Sequence, residues 1–174
     1  MSATADMQVI ETDRLVLRPP KASDKDAYID FFLSDRATYV GQASNRYQAW
    51  KTFAMEAGHW FLHGWGPWVV TRKGSDQAIG SVGPWHPEDF PERELGWLAF
   101  AGTEGQGIAF EAAIAARAHD YRTHGAQTLV SYIDPENERS IRLAERLGAV
   151  RDDAAARPDP IDLVYRHPSP EVRK

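Results

Sequence analysis

The run Glu94–Arg117, ELGWLAF followed by AGTEGQGIA and FEAAIAAR, decides how the rest of the chain is arranged. It reads as a strand, a glycine-rich turn and an alanine-rich helix of roughly residues 105–122. A helix N-terminus leaves about four backbone N–H groups unpaired, and the aligned peptide dipoles add positive potential there. Gly105 and Gly107 have no side chains, so an anion can come close to the main chain. The turn contains no Lys or Arg, so a phosphate held there would rest mainly on backbone amides. A tight structural connection is the plain alternative for the same residues.

Two neighbouring features add chemistry. On the strand, Leu95, Trp97 and Ala99 face one way, and Glu94, Gly96, Leu98 and Phe100 the other. A carboxylate at Glu94, beside a bound ligand, suits a general base acting directly or through water; the alternative is an exposed strand-end acid near Arg93. Downstream, Gln127–Ile133 reads as a strand, and Asp134-Pro135-Glu136 as a helix start with Asp at the cap. In that helix, which Gly148 stops, Asn137, Ser140, Ile141 and Ala144 share a stripe. This turns two polar side chains inward, toward a ligand amide or toward their own helix start.

Upstream, Val9–Arg18 reads as one strand, and Ser23 caps a helix whose stripe is Ala27, Tyr28, Phe31 and Phe32. A second helix carries Trp50, Phe53, Ala54, Ala57, Trp60 and Phe61 at helical spacing. Strands follow at Trp68–Arg72 and Gln77–Gly83, then a loop at Pro84–Pro91 holding Trp85 and His86. A short strand near 149–152 and a last strand at Ile161–Arg166 close the chain. This order predicts one mixed α/β domain with antiparallel hairpins and one βαβ crossover. Residues 1–7 and 168–174 are expected to be loose tails.

Composition narrows the function. The chain has 174 residues, 43% hydrophobic and 26% charged, with net charge −5 and no cysteine. That suits one soluble domain and removes disulfide and thiolate chemistry. A reducing cytoplasm, no membrane span, no metal and no nucleic-acid partner are the expectations.

Together these segments resemble the GCN5-related N-acetyltransferase (GNAT) family. They are most similar to the ribosomal-protein N-terminal acetyltransferases and their small-molecule relatives. The family's cofactor turn, Gln/Arg-x-x-Gly-x-Gly/Ala, falls on Glu104-Gly105-Gln106-Gly107-Ile108-Ala109; Gly107 and Ala109 match and Glu104 departs. The signature Pro-Glu-Asn-x-x-Ser is Pro135–Ser140, followed by Leu147-Gly148, and ETDRLVLRPP looks like the branch's first strand. The resemblance covers roughly residues 9–166. It implies one GNAT-fold domain over 1–174: a mixed, mostly antiparallel sheet splayed between its fourth and fifth strands, with about four helices around it. It implies transfer of an acetyl group from acetyl-CoA to a primary amine, a peptide N-terminus or a small molecule, by direct attack in a ternary complex.

By position, the backbone of Trp97, Leu98 and Ala99 would pair with the pantetheine arm, with the Leu98 N–H on the thioester oxygen. The amides of Gly105, Gln106, Gly107, Ile108 and Ala109 would hold the pyrophosphate, and Asn137 would bond the arm or a water. The catalytic residues implied are Glu94 as base, Ser140 near the leaving sulfur with Tyr132 in reserve, and Asn137. Glu104 beside two phosphates is repulsive unless it turns to solvent. Trp65, Trp85 and His86 would line the acceptor opening or a homodimer contact, with no catalytic role for His86. A non-catalytic acetyl-CoA sensor on the same fold is one alternative. A dinucleotide oxidoreductase is another, disfavoured because Phe110 stands where the third fingerprint glycine belongs.

Overall fold

The computed structural model describes residues 8–169. Of the expected loose tails, 1–7 and, from 168–174, residues 170–174 fall outside that range; Pro168 is described, and its carbonyl accepts from the Tyr121 hydroxyl at 2.8 Å. The chain runs β1 (Ile10–Glu11), β2 (Leu15–Arg18), α1 (Lys25–Leu33), α2 (Arg46–His63), β3 (Trp68–Arg72), β4 (Gly80–Trp85) and β5 (Glu94–Ala99). It continues with α3 (Ile108–Thr123), β6 (Val130–Ile133), α4 (Glu138–Arg146), β7 (Val150–Arg151) and β8 (Leu163–Arg166). The eight strands form one sheet in the order β1-β2-β3-β4-β5-β6-β8-β7. Every neighbouring pair is antiparallel except β5–β6, the crossover that α3 closes.

Two larger cores flank the sheet, and a smaller cluster of Ile133, Ala144, Ala149 and Tyr165 seats α4. Ala112, Ala113 and Ala116 of α3 pack with Leu15, Leu17, Trp68, Val70, Val82, Leu95 and Leu129. Small alanines let this helix lie close to the strands. Tyr28, Phe31 and Phe32 of α1 and Phe53 of α2 pack with Val69 and Phe100 as a second, aromatic core. Alternation along β5 therefore sends Leu95 toward α3, and Leu98 with Phe100 toward α1 and α2, as the sequence pattern predicts.

Several local expectations are corrected. Val9–Arg18 is a hairpin, not one strand: Thr12 Oγ1 accepts the Leu15 N–H at 3.0 Å and turns the chain. This adds one strand to the count, so the splayed pair is β5 and β6. Ser23 does not cap α1; Asp24 sits there instead, buried against Arg18 at 2.8 Å. In α2 the inward face is Ala49, Phe53, Glu56, His59 and Trp60, while Trp50 is 44% and Phe61 87% exposed. Pro84 and Trp85 belong to β4 rather than a loop. Pro84 lies past Val82, the residue opposite Trp68 at the end of β3, so its missing N–H breaks no ladder bond. Asp134 shapes the turn before α4, but the cap is Asn137, whose Oδ1 accepts the Ser140 N–H.

Candidate functional site

β5 pairs with β4 over all six of its residues, but with β6 at Glu94↔Val130 alone. Beyond that point the two strands diverge, and a groove of about 860 Å³ opens between β5 with the glycine turn and α4. Peptide groups along a strand point alternately to its two neighbours. The Leu95 carbonyl is bonded on the β6 side, by Ser131 Oγ at 2.7 Å, and the Ala99 carbonyl on the same open side, by Arg36 at 2.9 Å. The Leu98 carbonyl instead lies against Gly80 of β4. The main chain of Trp97 therefore faces the groove, and so does the N–H of Ala99. Leu98 lines the groove with its side chain, but its N–H is turned to β4. This corrects the expectation that Leu98 donates to a thioester oxygen.

The far end of the groove is the glycine turn. Gly105 (φ 68°) and Gly107 (φ 72°) both adopt the left-handed conformation that other residues resist. Gly107 is the N-cap of α3 and gives it no side-chain cap, so the first-turn amides of Ile108 and Ala109 keep their donor capacity. Gly105, Gly107, Ile108 and Ala109 line the groove with Trp97, Leu98, Ala99, Asn137 and Ser140. The Gln106 side chain turns away, donating to Gly102 O at 2.8 Å and accepting from Arg72, and its carbonyl accepts from Arg14 at 3.0 Å. Glu104 pairs with Arg36. A main-chain N–H and the Arg36 guanidinium hold its carboxyl below the usual range, so its charge is met inside the protein.

At the near end, Glu94 is half-buried and shares a small cavity with Tyr39, Tyr132, Asp134, Asn137 and Ser140. Burial pushes its carboxyl up to about 8; the Tyr132 main-chain N–H pulls the other way, and the Asp162 carboxylate adds to the rise. A carboxyl that changes charge near neutrality suits proton transfer. Ser140 Oγ accepts the Trp97 indole N–H at 3.1 Å, which leaves the hydroxyl proton free to point elsewhere. Asn137 uses its carbonyl oxygen as cap and keeps its amide N–H groups on the groove wall. The Tyr132 hydroxyl is turned aside, accepting the Glu92 N–H at 3.3 Å.

The groove also gathers residues that motif reading missed. Arg36 reaches it from the turn after α1, with Tyr39 and Val40 beside it, and Arg139, Arg142 and Arg146 line its α4 wall. Arg146 lies 4.0 Å over the Phe110 ring. The 3- and 4-residue spacing of those arginines was the available signal; nothing local pointed to Arg36. Trp65 and Trp85 are packed against His59, and Arg93 lies 3.9 Å over the Trp65 ring. Both rings are thus engaged within the chain. His86 Nε2 lies 3.0 Å from Phe90 O.

Residues 14–150 match the family model described as an acetyltransferase (GNAT) domain. The fold superposes on the crystal structure of an acetyltransferase from Agrobacterium tumefaciens with a TM-score of 0.89 at 39% identity, covering 97% of this chain and 99% of that one. A GNAT-family acetyltransferase from Bacillus anthracis superposes at TM-score 0.71 and 18% identity, over 92% of this chain and 96% of the other. A ribosomal-protein-S5-alanine acetyltransferase from Vibrio fischeri gives 0.68 and 18%, over 92% and 94%. At these lower identities the likeness is one of fold.

Proposed function

The chain belongs to the GNAT family of acetyltransferases and is an acyltransferase; from that premise we propose that it moves an acetyl group from acetyl-CoA to a primary amine by direct attack in a ternary complex. The observation that carries this is the opening beyond Leu95. There β5 offers unpaired main chain along a groove that ends in a left-handed glycine turn on one side and in Glu94 on the other. A long diphosphate thioester fits those groups. The amides of Gly105 to Ala109 would meet the diphosphate, the main chain of Trp97 and the Ala99 N–H the arm, and Asn137 its amides or a water.

In this reading Glu94 takes the proton as the amine nitrogen bonds to the thioester carbon. The Trp97 N–H stabilises the oxyanion that forms, in the role first expected of Leu98. The carbon–sulfur bond then breaks, and Ser140 is placed to hand a proton to the departing sulfur. An α-amine of pKa near 8 is about one-tenth neutral at pH 7, whereas a lysine amine is neutral roughly once in 2,500. A base titrating near 8 therefore suits an α-amine or a weakly basic small amine. The Pro135–Ser140 signature supports a reading beside the ribosomal-protein N-terminal acetyltransferases, and the proposal includes action in the cytoplasm as one domain over 1–174. The surface left for a homodimer contact is the outer face of α2, where Trp50, Phe61 and Leu62 are exposed.

Free-thiol release from acetyl-CoA with a panel of peptides and amines tests the activity. Coenzyme A binding without turnover on any amine would favour the sensor alternative. For the base, Glu94→Gln is expected to lower kcat by about 10²-fold or more. The wild-type kcat/KM should rise with pH through about 8, as the carboxylate forms, and the variant should lose that limb and climb only at higher pH. The acceptor chosen must titrate well away from 8. An unchanged pH profile would remove Glu94 from the mechanism.

A further inference from the structure

The place where β5 and β6 part is held by side chains that the proposed chemistry does not use. Val130 N donates to Arg93 O at 3.2 Å, in parallel register. A continuing parallel ladder would next bring the Tyr132 N–H to the Leu95 carbonyl. Ser131 Oγ takes that carbonyl instead, at 2.7 Å. Ser131 Oγ also lies 2.9 Å from His167 Nε2, and His167 Nδ1 lies 3.1 Å from Arg117 Nη1, which donates in turn to Leu147 O at 2.7 Å. Ser131 and His167 are both buried.

The donor inventory orders this chain. A guanidinium only donates, so His167 Nδ1 accepts and the ring proton sits on Nε2, aimed at Ser131 Oγ. The serine's own proton then has one direction left, toward Leu95 O. Burial, and after it the Arg117 cation, push His167 down to about 3. The ring stays neutral at any working pH and the order does not reverse. Two consequences meet at the site. The Tyr132 N–H, displaced from the ladder, faces the Glu94 carboxylate. The His167 ring stands edge-on to Trp97 at 6.4 Å, on the residue that opens the groove.

We propose that Ser131 is a positioning residue: its hydroxyl, aimed by His167 and Arg117, takes the Leu95 carbonyl from Tyr132 and so keeps β5 and β6 apart where the acyl donor enters. One hydroxyl thereby frees the Trp97 main chain for the donor and the Tyr132 N–H for Glu94. The inference rests on reading the groove as the acetyl-CoA site and Glu94 as the base. Besides Tyr132, the groups around Glu94 are Tyr39 from the turn after α1, Asp134 at the end of β6, Asp162 before β8, and Asn137 and Ser140 of α4. Ser131 lines the same cavity, but its hydroxyl is taken up by Leu95 O and His167 Nε2 and bonds none of these groups, so a change at Ser131 that moves the Glu94 titration acts through the strand gap.

The test compares Ser131→Ala with Ser131→Thr, which keeps the hydroxyl. Ser131→Ala should bind coenzyme A at least about tenfold more weakly by calorimetry. Its kcat/KM limb should move up by about half to one pH unit as Glu94 loses the Tyr132 N–H. Ser131→Thr should restore both. A hydroxyl that merely stabilises the fold would lower Tm in Ser131→Ala and leave affinity and limb where they were; that result overturns the inference. Should Ser131→Ala not fold, His167→Gln, which keeps a donor for Ser131, is set against His167→Leu. The leucine variant should show the same losses and the glutamine variant far smaller ones; equal behaviour overturns the inference. Wild-type protein that binds no coenzyme A removes the premise, whereas wild-type binding matched by Ser131→Ala removes this inference alone.

Discussion

Glu104 stands where the family pattern has Gln or Arg, one residue before the first glycine of the cofactor turn. Taken with its sequence neighbours, it is a negative charge facing a diphosphate. Its partner, Arg36, is 68 residues away and is itself fixed by the Ala99 carbonyl at 2.9 Å. The pair places a charge-balanced unit at the mouth of the turn, and the carboxylate side chain is still 43% exposed. Replacing Glu104 by Gln should therefore change acetyl-CoA affinity by less than about tenfold, or 1.4 kcal/mol, read by calorimetry; a larger gain would mean that Arg36 does not shield it. Other single residues were legible from alternation alone. The facing of Glu94 and the inward turn of Ser140 follow from strand and helix periods. The amide of Leu98 was not legible, because which peptide groups face a gap depends on which neighbour strand they pair with.

At the scale of elements, α2 shows why periodicity can mislead. Its apolar residues sit on both faces, so Trp50 and Phe61 fit a stripe as well as Phe53 and Trp60 do, and packing alone decides between them. The face that turned inward carries Glu56, buried at 8% exposure and bonded to Ser81 of β4 at 3.1 Å. The buried Tyr28 hydroxyl of α1 has no hydrogen-bond partner among the described residues. Burial pushes the Glu56 carboxyl up to about 7. Because the folded state raises this pKa, its contribution to stability is fully present below about 4.5 and is lost as pH rises through about 7. Glu56→Gln mimics the protonated acid at every pH. Its advantage over wild type should therefore grow between about pH 5.5 and about pH 8.5 by on the order of 2 kcal/mol, roughly 4–8 °C in Tm. Glu94 has the same sign, with a midpoint near 8, so wild type and variant should share a residual alkaline decline. Equal Tm differences at the two pH values would show that Glu56 is not protonated in the fold. The glycine turn and the Pro135–Ser140 helix start, by contrast, were legible, because caps and left-handed turns are chosen by a few adjacent residues.

Over the whole molecule, charge gives two opposed expectations for a polyanionic donor. The chain carries a net −5, so long-range potential repels it, and added salt would then tighten binding by screening that repulsion. The groove is different: Arg36 is balanced by Glu104 and Arg142 by Glu138, while Arg139 and Arg146 have no ion-pair partner among the described residues, and Arg146, unlike the remaining groove acids Asp35 and Glu136, also lines the second cavity at the glycine turn. The Debye length is about 10 Å at 0.1 M ionic strength, so charges spread over the far surface are damped before the nearby arginines are. Local attraction should win, and the sign of the salt effect reports which field governs. Coenzyme A affinity is expected to fall several-fold between about 0.05 and about 0.5 M NaCl. Arg146 lines both cavities that flank the glycine turn, so Arg146→Gln should weaken binding by about three- to tenfold, with a shallower salt dependence. Affinity that rises with salt, in wild type and variant alike, would show that the α4 arginines do not meet the donor.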